Sequence, residues 1–323
     1  MQTLLFHPFP QYLRFGGETL KSRVPLRPED RRDGKLAEVW MASDHRVHSS
    51  IVRAGPAAGK TLRELLAAEG PALLGRHFQP GIERFPLMIR LLDVRENLPP
   101  AVHPGPGGSP DGAKYEAAYV LETDPGARLY SGVRAGLDTD EVVRMTLAGQ
   151  SFSTMNAWPV AVGETYYVPP GQLHAWGAGN VLYEVHTTSN AIFALDWMDW
   201  DKDEARRQSD RDQLRKAIRP ELHESGRVPT EPVSAPAGMR RERCCGNEHF
   251  VLDRVSTGVP VALDQTEGRF RLYTLIEGRG RVSWAKGGEA AISALDTFLV
   301  PAQADADVFV PSGPCTLLEA YLP

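Results

Sequence analysis

Beyond residue 248 the chain is a succession of short β-type runs: HFVLDRVS, FRLYTLIEG, RGRVSWAK, AISALDTFLVP, ADVFVPS and CTLLEAYLP. Turn residues part them. Short runs at regular spacing predict a sandwich or barrel of strands rather than a helical fold. The first half has the same texture in LAEVWMAS (Leu36–Ser43), FPLMIRLLDV (Phe85–Val94) and KYEAAYVLET (Lys114–Thr123). The stretch YYVPPGQLHAWGAGNVLYEVH (Tyr166–His186) reads as a hairpin: a strand, a Pro-Pro-Gly turn ending on His174, and a second strand. Alternation on that second strand puts Glu184 and His186 on one face. The 26 prolines and 30 glycines suit many tight turns. Helical signals are few. Thr61 stands three residues before Glu64, the capping-box spacing, DTDEVVRMTLAG has helical character, and the charged stretch Asp201–Leu222 reads as helix up to Pro220, a solvated connector. The expectation is a mainly β chain with a few short helices.

A Pro/Ser/Gly-rich segment, ESGRVPTEPVSAPAGM, sets a boundary near 225–238 and divides the chain into residues 1–225 and 239–323. A weak repeat links the two parts. GETYYVPPGQLH (Gly163–His174) lines up with LDTFLVPAQADA (Leu295–Ala306), and YVLETDPG with TLIEGRG when Glu122 is set on Glu277. In that register Glu116 falls on Arg271 and His174 on Ala306, and no histidine follows His249. If the halves share a fold, only the first can hold a metal.

Composition excludes several roles. With 42% apolar and 24% charged residues the chain reads as soluble and globular, and a net charge of −5 without a long basic run argues against nucleic acid or an anionic membrane as partner. It has no apolar run near 18 residues and no basic start followed by an apolar core, so neither a spanning helix nor a signal peptide is expected. Three cysteines, two of them adjacent (Cys244, Cys245), make no disulfide framework. A reducing cytoplasm fits, with inert thiols. GPAAGKT is one residue short of a phosphate loop, and DHRVHSS reads as surface.

Three residues of the first half have ligand chemistry at strand ends or turns: His103 in AVHPG, Glu116 in KYEAAY and His174 in GQLHAW. Two imidazoles and a carboxylate hold a divalent ion facially and leave positions open, a set that suits Fe(II) or catalytic zinc. Each alone could equally be a solvated or core residue.

FPLMIRLLDVRENLPPAVHP, AKYEAAYVLETDPGARLYSGV and VPPGQLHAWGAGNVLYEV resemble, in order and spacing, the type I mannose-6-phosphate isomerases, zinc-dependent double cupins. GGETLK and AEVWMAS add to the likeness, which spans roughly residues 10 to 200 and more faintly the second half. The resemblance implies a double jelly roll with one Zn2+ in the first barrel and a degenerate second barrel. It implies His103, Glu116 and His174 as zinc ligands, and Lys114 and Glu184 as active-site residues. It also exposes three departures. The family's fourth ligand, a glutamine, is Ala101 here. A serine that helps hold the substrate phosphate is Pro99. An arginine ten residues after Glu184 is Ala194. Methyl groups neither ligate zinc nor stabilise an enediolate, and the losses point away from a phosphorylated substrate. His186, on the face of Glu184, is a candidate for the vacant ligand position.

Three readings follow. The first is a metal-dependent aldose–ketose isomerase acting on a small sugar or sugar phosphate. The second is a non-catalytic sugar-binding or regulatory cupin. The third is a different metalloenzyme, such as a non-haem iron dioxygenase. Oligomeric state is not legible.

Overall fold

The computed structural model describes residues 1–194, 204–264 and 266–323. Two seven-stranded antiparallel sheets form its centre. The first runs Arg227–Val228, Thr165–Val168, Glu116–Thr123, Asn180–Thr187, Leu87–Val94, Leu36–Ala42, Phe9–Gly17. The second runs Leu4–Leu5, Thr297–Val300, Arg271–Glu277, Cys315–Tyr321, Val251–Thr257, Met239–Gly246, Glu231–Val233. Strand alternation gives each sheet two apolar faces. One face of each enters a shared core, where Val39, Ile89, Leu91 and Tyr183 belong to the same cluster as Leu252, Leu272 and Leu318. Fully burying such side chains is worth about 1.5–3 kcal/mol apiece, so this layer holds the two halves together. The other face closes a barrel against a smaller sheet. The first barrel is closed by five strands, among them Ala101–Val102, His174–Trp176 and Arg128–Val133, and the second by four. The mainly β double jelly roll expected from the sequence is the architecture found.

Two of the helices start on reciprocal side-chain caps. Leu62–Leu74 starts on Thr61, whose side chain accepts from the Glu64 N–H while Glu64 accepts from the Thr61 N–H. Thr139–Leu147 has the same reciprocal cap between Asp138 and Glu141. The charged connector is helical over Glu204–Ala217, and positions 201–203 lie outside the described residues. The proline-rich segment carries two short strands. Arg227–Val228 pairs with Thr165–Tyr166 of the first barrel, and Glu231–Val233 pairs with Arg241–Arg243 of the second. At the other end of the chain, Leu4–Leu5 pairs with Phe298–Leu299.

The expected hairpin at Tyr166–His186 is not one. Thr165–Val168 pairs with Glu116–Tyr119, but His174–Trp176 pairs with Ala101 and with Leu129–Ser131 in the opposite sheet. The Pro-Pro-Gly turn hands the chain from one wall of the barrel to the other. A turn that rigid can do either, and only the distant partners decide.

The repeat is visible in the ladders. Glu122 pairs with Val181 and Val120 with Leu182, with a bulge between them. Glu277 pairs with Thr316 and Leu275 with Leu317, with a bulge at the same place. Glu116 sits opposite Val168, and Arg271 opposite Val300. Gly163 has φ +87°, and Leu295, its counterpart in the second copy, has φ +71°. The second barrel keeps the left-handed turn without the glycine, because the Leu295 side chain is buried in the central core.

Candidate active site

The site is built where the two walls of the first barrel meet. Glu116 opens a strand of the large sheet, His174 opens a strand of the smaller one, and His103 follows Ala101–Val102. Because His174 pairs directly with Ala101, the two histidines arrive side by side, their rings 4.6 Å apart at 70°. One ligand atom from each of His103, Glu116 and His174 lies within 4.8 Å of the others. All three residues are buried. The Nδ1 of His174 faces the Gln172 carbonyl oxygen at 3.0 Å, which fixes the proton there and leaves the Nε2 lone pair free. The Nδ1 of His103 is buried without a partner. Burial pushes both imidazoles below their ordinary value, into the neutral form a metal ligand requires. Burial alone would raise Glu116, but the charges of Lys114 and Arg90 outweigh it and hold the carboxyl well below its usual range. Two neutral imidazoles, one carboxylate and an orphaned buried nitrogen fit a divalent cation.

Around this trio runs a chain of charges. The Lys114 Nζ lies 2.6 Å from the Glu116 Oε2. Arg90 bonds Glu184 through Nε, reaches Glu116 at 3.3 Å and lies 3.6 Å from Glu38. Burial and the neighbouring Glu116 push Glu184 up to about 7, although Arg90 opposes them. Lys114 is lowered, first by burial and then by Arg90. A cavity of about 280 Å³ opens onto these groups, and Leu92, Leu98, Trp176 and Ile192 give it an apolar wall.

The five residues singled out from the sequence thus share one cavity. His186 is also buried and pairs with Glu116 across the ladder. Its Nδ1 faces the Thr187 carbonyl oxygen at 2.8 Å, and its Nε2 has no partner. It is not among the mutually close ligand atoms. The family departures are neighbours: Ala194 pairs with Ala101, and Ala101 with His174. Two shortened side chains therefore lie in one row beside the ligand cluster.

Sequence reasoning missed Arg90. Its signal was one of two charges, Arg90 and Asp93, inside LMIRLLDV, a strand buried along its whole length. It also misplaced His45, read as surface. His45 is 7% exposed, and its Nε2 lies 3.0 Å from Asp111. Asp111 also pairs with Arg46 and Arg84 and accepts from the backbone N–H of Asn190, whose side chain faces Arg90. That knot ties down the loop between His103 and Lys114. Cys244 and Cys245 are buried thiols, and burial pushes Cys245 up to about 12.

The catalytic-domain model of phosphomannose isomerase type I matches residues 16–125. The mannose-6-phosphate isomerase ManA of Bacillus subtilis is 26% identical over 292 residues, 87% of each chain. The crystal structure of a Bacillus subtilis mannose 6-phosphate isomerase superposes with a TM-score of 0.84 at 24% identity, covering 100% of both chains. A zinc-bound mannose 6-phosphate isomerase structure superposes at 0.74 with 14% identity, again over 100% of both.

Proposed function

The chain belongs to the type I phosphomannose isomerase family, and from that premise we propose that it is a zinc-dependent aldose–ketose isomerase acting in the first barrel. The reaction is that of mannose 6-phosphate to fructose 6-phosphate, or the same proton shift on a related sugar. The observation that carries this reading is the meeting of the three ligand-type atoms within 4.8 Å of one another, in the cavity that Lys114 and Glu184 also line.

His103, Glu116 and His174 would hold the zinc, which when bound would orient sugar oxygens and polarise a carbonyl. Isomerisation moves a proton from C2 of the aldose to C1 through an enediol, so it needs a group that can both take and return a proton near neutral pH. Glu184, pushed up to about 7, suits that task on a carboxylate oxygen. Arg90 bridges Glu184, through Nε, and Glu116, and so fixes the Glu184 carboxylate in the cavity. The Lys114 ammonium supplies positive charge beside the oxygen that becomes negative as the proton leaves C2. The apolar wall of Leu92, Leu98 and Trp176 keeps water from the enediol. Of the three sequence readings, family membership favours the isomerase over the dioxygenase, and retention of Lys114 and Glu184 in the cavity favours turnover over passive binding.

The test is isomerisation in D2O. The zinc-loaded chain should convert mannose 6-phosphate or an unphosphorylated aldose with deuterium entering the ketose at C1. Glu184→Gln should lower that exchange by about 10²–10⁴, as loss of a positioned acid–base does, with zinc content unchanged. No exchange above the blank with either sugar would refute the reading.

A further inference from the structure

Since the ladders of the two barrels are in register, their inner faces can be matched position by position. The pairings place Glu319 where the first barrel has Glu184, and Asp253 where it has Arg90. They place Arg271 on Glu116, Arg241 on Glu38 and Arg243 on Trp40. The sign of the charge is reversed at three of these positions. The first barrel surrounds Arg90 with three carboxylates. The second surrounds Asp253 and Glu319 with three guanidinium groups, and Arg269 joins them from the turn before Arg271.

The carboxylates there are enclosed by partners, although the Oε2 of Glu319 meets Arg241 as an ion pair only, without a hydrogen bond. Glu319 is 0% exposed, is paired with Arg241 and Arg271, and accepts from the Tyr273 hydroxyl at 2.7 Å. Asp253, also 0% exposed, is paired with Arg243 and accepts from the Tyr321 hydroxyl at 3.2 Å. The cations are paired as well, Arg241 Nε lying 3.3 Å from Asp253 and Arg271 3.5 Å from Glu267, but they keep donors beyond those pairs. The Nε–H groups of Arg241, Arg269 and Arg271 are buried without a hydrogen-bond partner. Arg269 pairs with Glu267 at 3.2 Å, a carboxylate whose side chain is 69% exposed. Arg269 and Arg271 stack 5.3 and 4.9 Å from the centre of the Tyr321 ring. Burial, and then the charges of Arg76 and Arg271, push Arg269 below its ordinary value. A purely structural ion network satisfies its own donors. This one keeps spare donors and a positive excess among the described residues. Solvent reaches it through Arg241 and Arg243, whose side chains are 23% and 32% exposed. Guanidinium forks match tetrahedral oxyanions.

We infer that the second barrel binds a phosphate-type oxyanion on Arg241, Arg269 and Arg271, at a site separate from the first-barrel cavity. The anion is either inorganic phosphate or the phosphate group of a sugar phosphate.

The test uses the full chain, loaded with zinc, in chloride buffers of matched ionic strength. Inorganic phosphate and, separately, mannose 6-phosphate are titrated by calorimetry into the wild-type chain, Lys114→Met and Arg269→Gln. Arg269 pairs with an exposed carboxylate, so its replacement should leave the fold intact, checked by an unchanged melting point without phosphate. Saturable binding that survives Lys114→Met and weakens at least tenfold in Arg269→Gln is expected. If only mannose 6-phosphate behaves so, the ester is the ligand; if inorganic phosphate does too, the free ion suffices. Lack of saturable binding in Lys114→Met, or binding there that Arg269→Gln leaves unchanged when combined with it, would overturn the inference.

Discussion

Removing the Arg90 guanidinium should destabilise this protein more than any single loss on its surface. In Arg90→Met the side chain keeps its length and apolar stem, but Glu184 loses its partner, Glu116 loses a bond at 3.3 Å and Glu38 a charge at 3.6 Å. Glu116 and Glu184 are each 1% exposed, so water cannot replace what is lost. Lys114 remains beside Glu116. Breaking a buried pair by removing one partner costs about 3–5 kcal/mol, because the other charge is stranded. At roughly 2.1 cal/mol/K of unfolding entropy per residue, a chain of 323 residues shifts by about 1.5 °C per kcal/mol, so the loss is about 4–8 °C in melting temperature. The assay is urea and thermal unfolding of wild type, Arg90→Met, Arg90→Lys and the double variant Arg90→Met/Glu184→Gln, all with zinc present. Arg90→Lys should cost less than Arg90→Met, since it keeps the charge but not the fork. The double variant should recover at least half of the loss, because the stranded carboxylate is gone. A loss under about 1 kcal/mol in Arg90→Met, or a double variant no better than the single, would refute the claim that Arg90 neutralises this cluster.

Other outcomes follow from the same structure. Lys114→Met should lower turnover by about 10²–10³, the usual loss for a group that stabilises developing charge, while zinc measured by mass spectrometry stays bound. Burial would raise Asp111, but the Asn190 N–H, Arg84 and His45 bring it down to about 2 from 3.8. Its contribution is therefore complete above pH 4 and lost as pH falls toward 2. At about 1.4 kcal/mol per pH unit, reduced for partial solvent screening, that is about 1–2 kcal/mol. Asp111→Asn should flatten the acid limb of a stability–pH curve by that amount. Gly226 has φ +77°, and an added Cβ would meet the Tyr167 carbonyl oxygen at 2.1 Å, whereas Gly59 has φ +86° and open space around it. Gly226→Ala should cost more than about 2 kcal/mol and Gly59→Ala about 1 kcal/mol in urea unfolding; equal costs would contradict the packing described.

Most strands and the ligand trio were legible because their signals are local: apolar runs bounded by turns, and ligand-type residues at strand ends. What the sequence hid was pairing. The Pro-Pro-Gly turn looked like a hairpin, yet its two flanks belong to different walls, a choice made by Glu116–Tyr119 and Leu129–Ser131 far away in the chain. MRRERCCG was not read as a strand because four consecutive charges, Arg240 to Arg243, stand where polar and apolar residues usually alternate, but Arg241 and Arg243 point into an ionic barrel end rather than an apolar one. Arg90 went unnoticed for the opposite reason, since apolar neighbours masked it. The lining-up of Glu116 with Arg271 was readable, but its meaning, a reversal of charge at three matched positions of the inner face, needed the partners on neighbouring strands.

The central claim is that zinc on His103, Glu116 and His174 supports isomerisation in the first barrel. The most direct measurement strips the chain with a chelator and titrates zinc back while following aldose–ketose conversion on the same sample, beside His174→Ala. The account predicts activity that rises with zinc and levels off near one ion per chain, with His174→Ala neither binding that ion nor turning over. Full activity in the metal-free chain, or zinc bound at one per chain in His174→Ala with turnover intact, would contradict it.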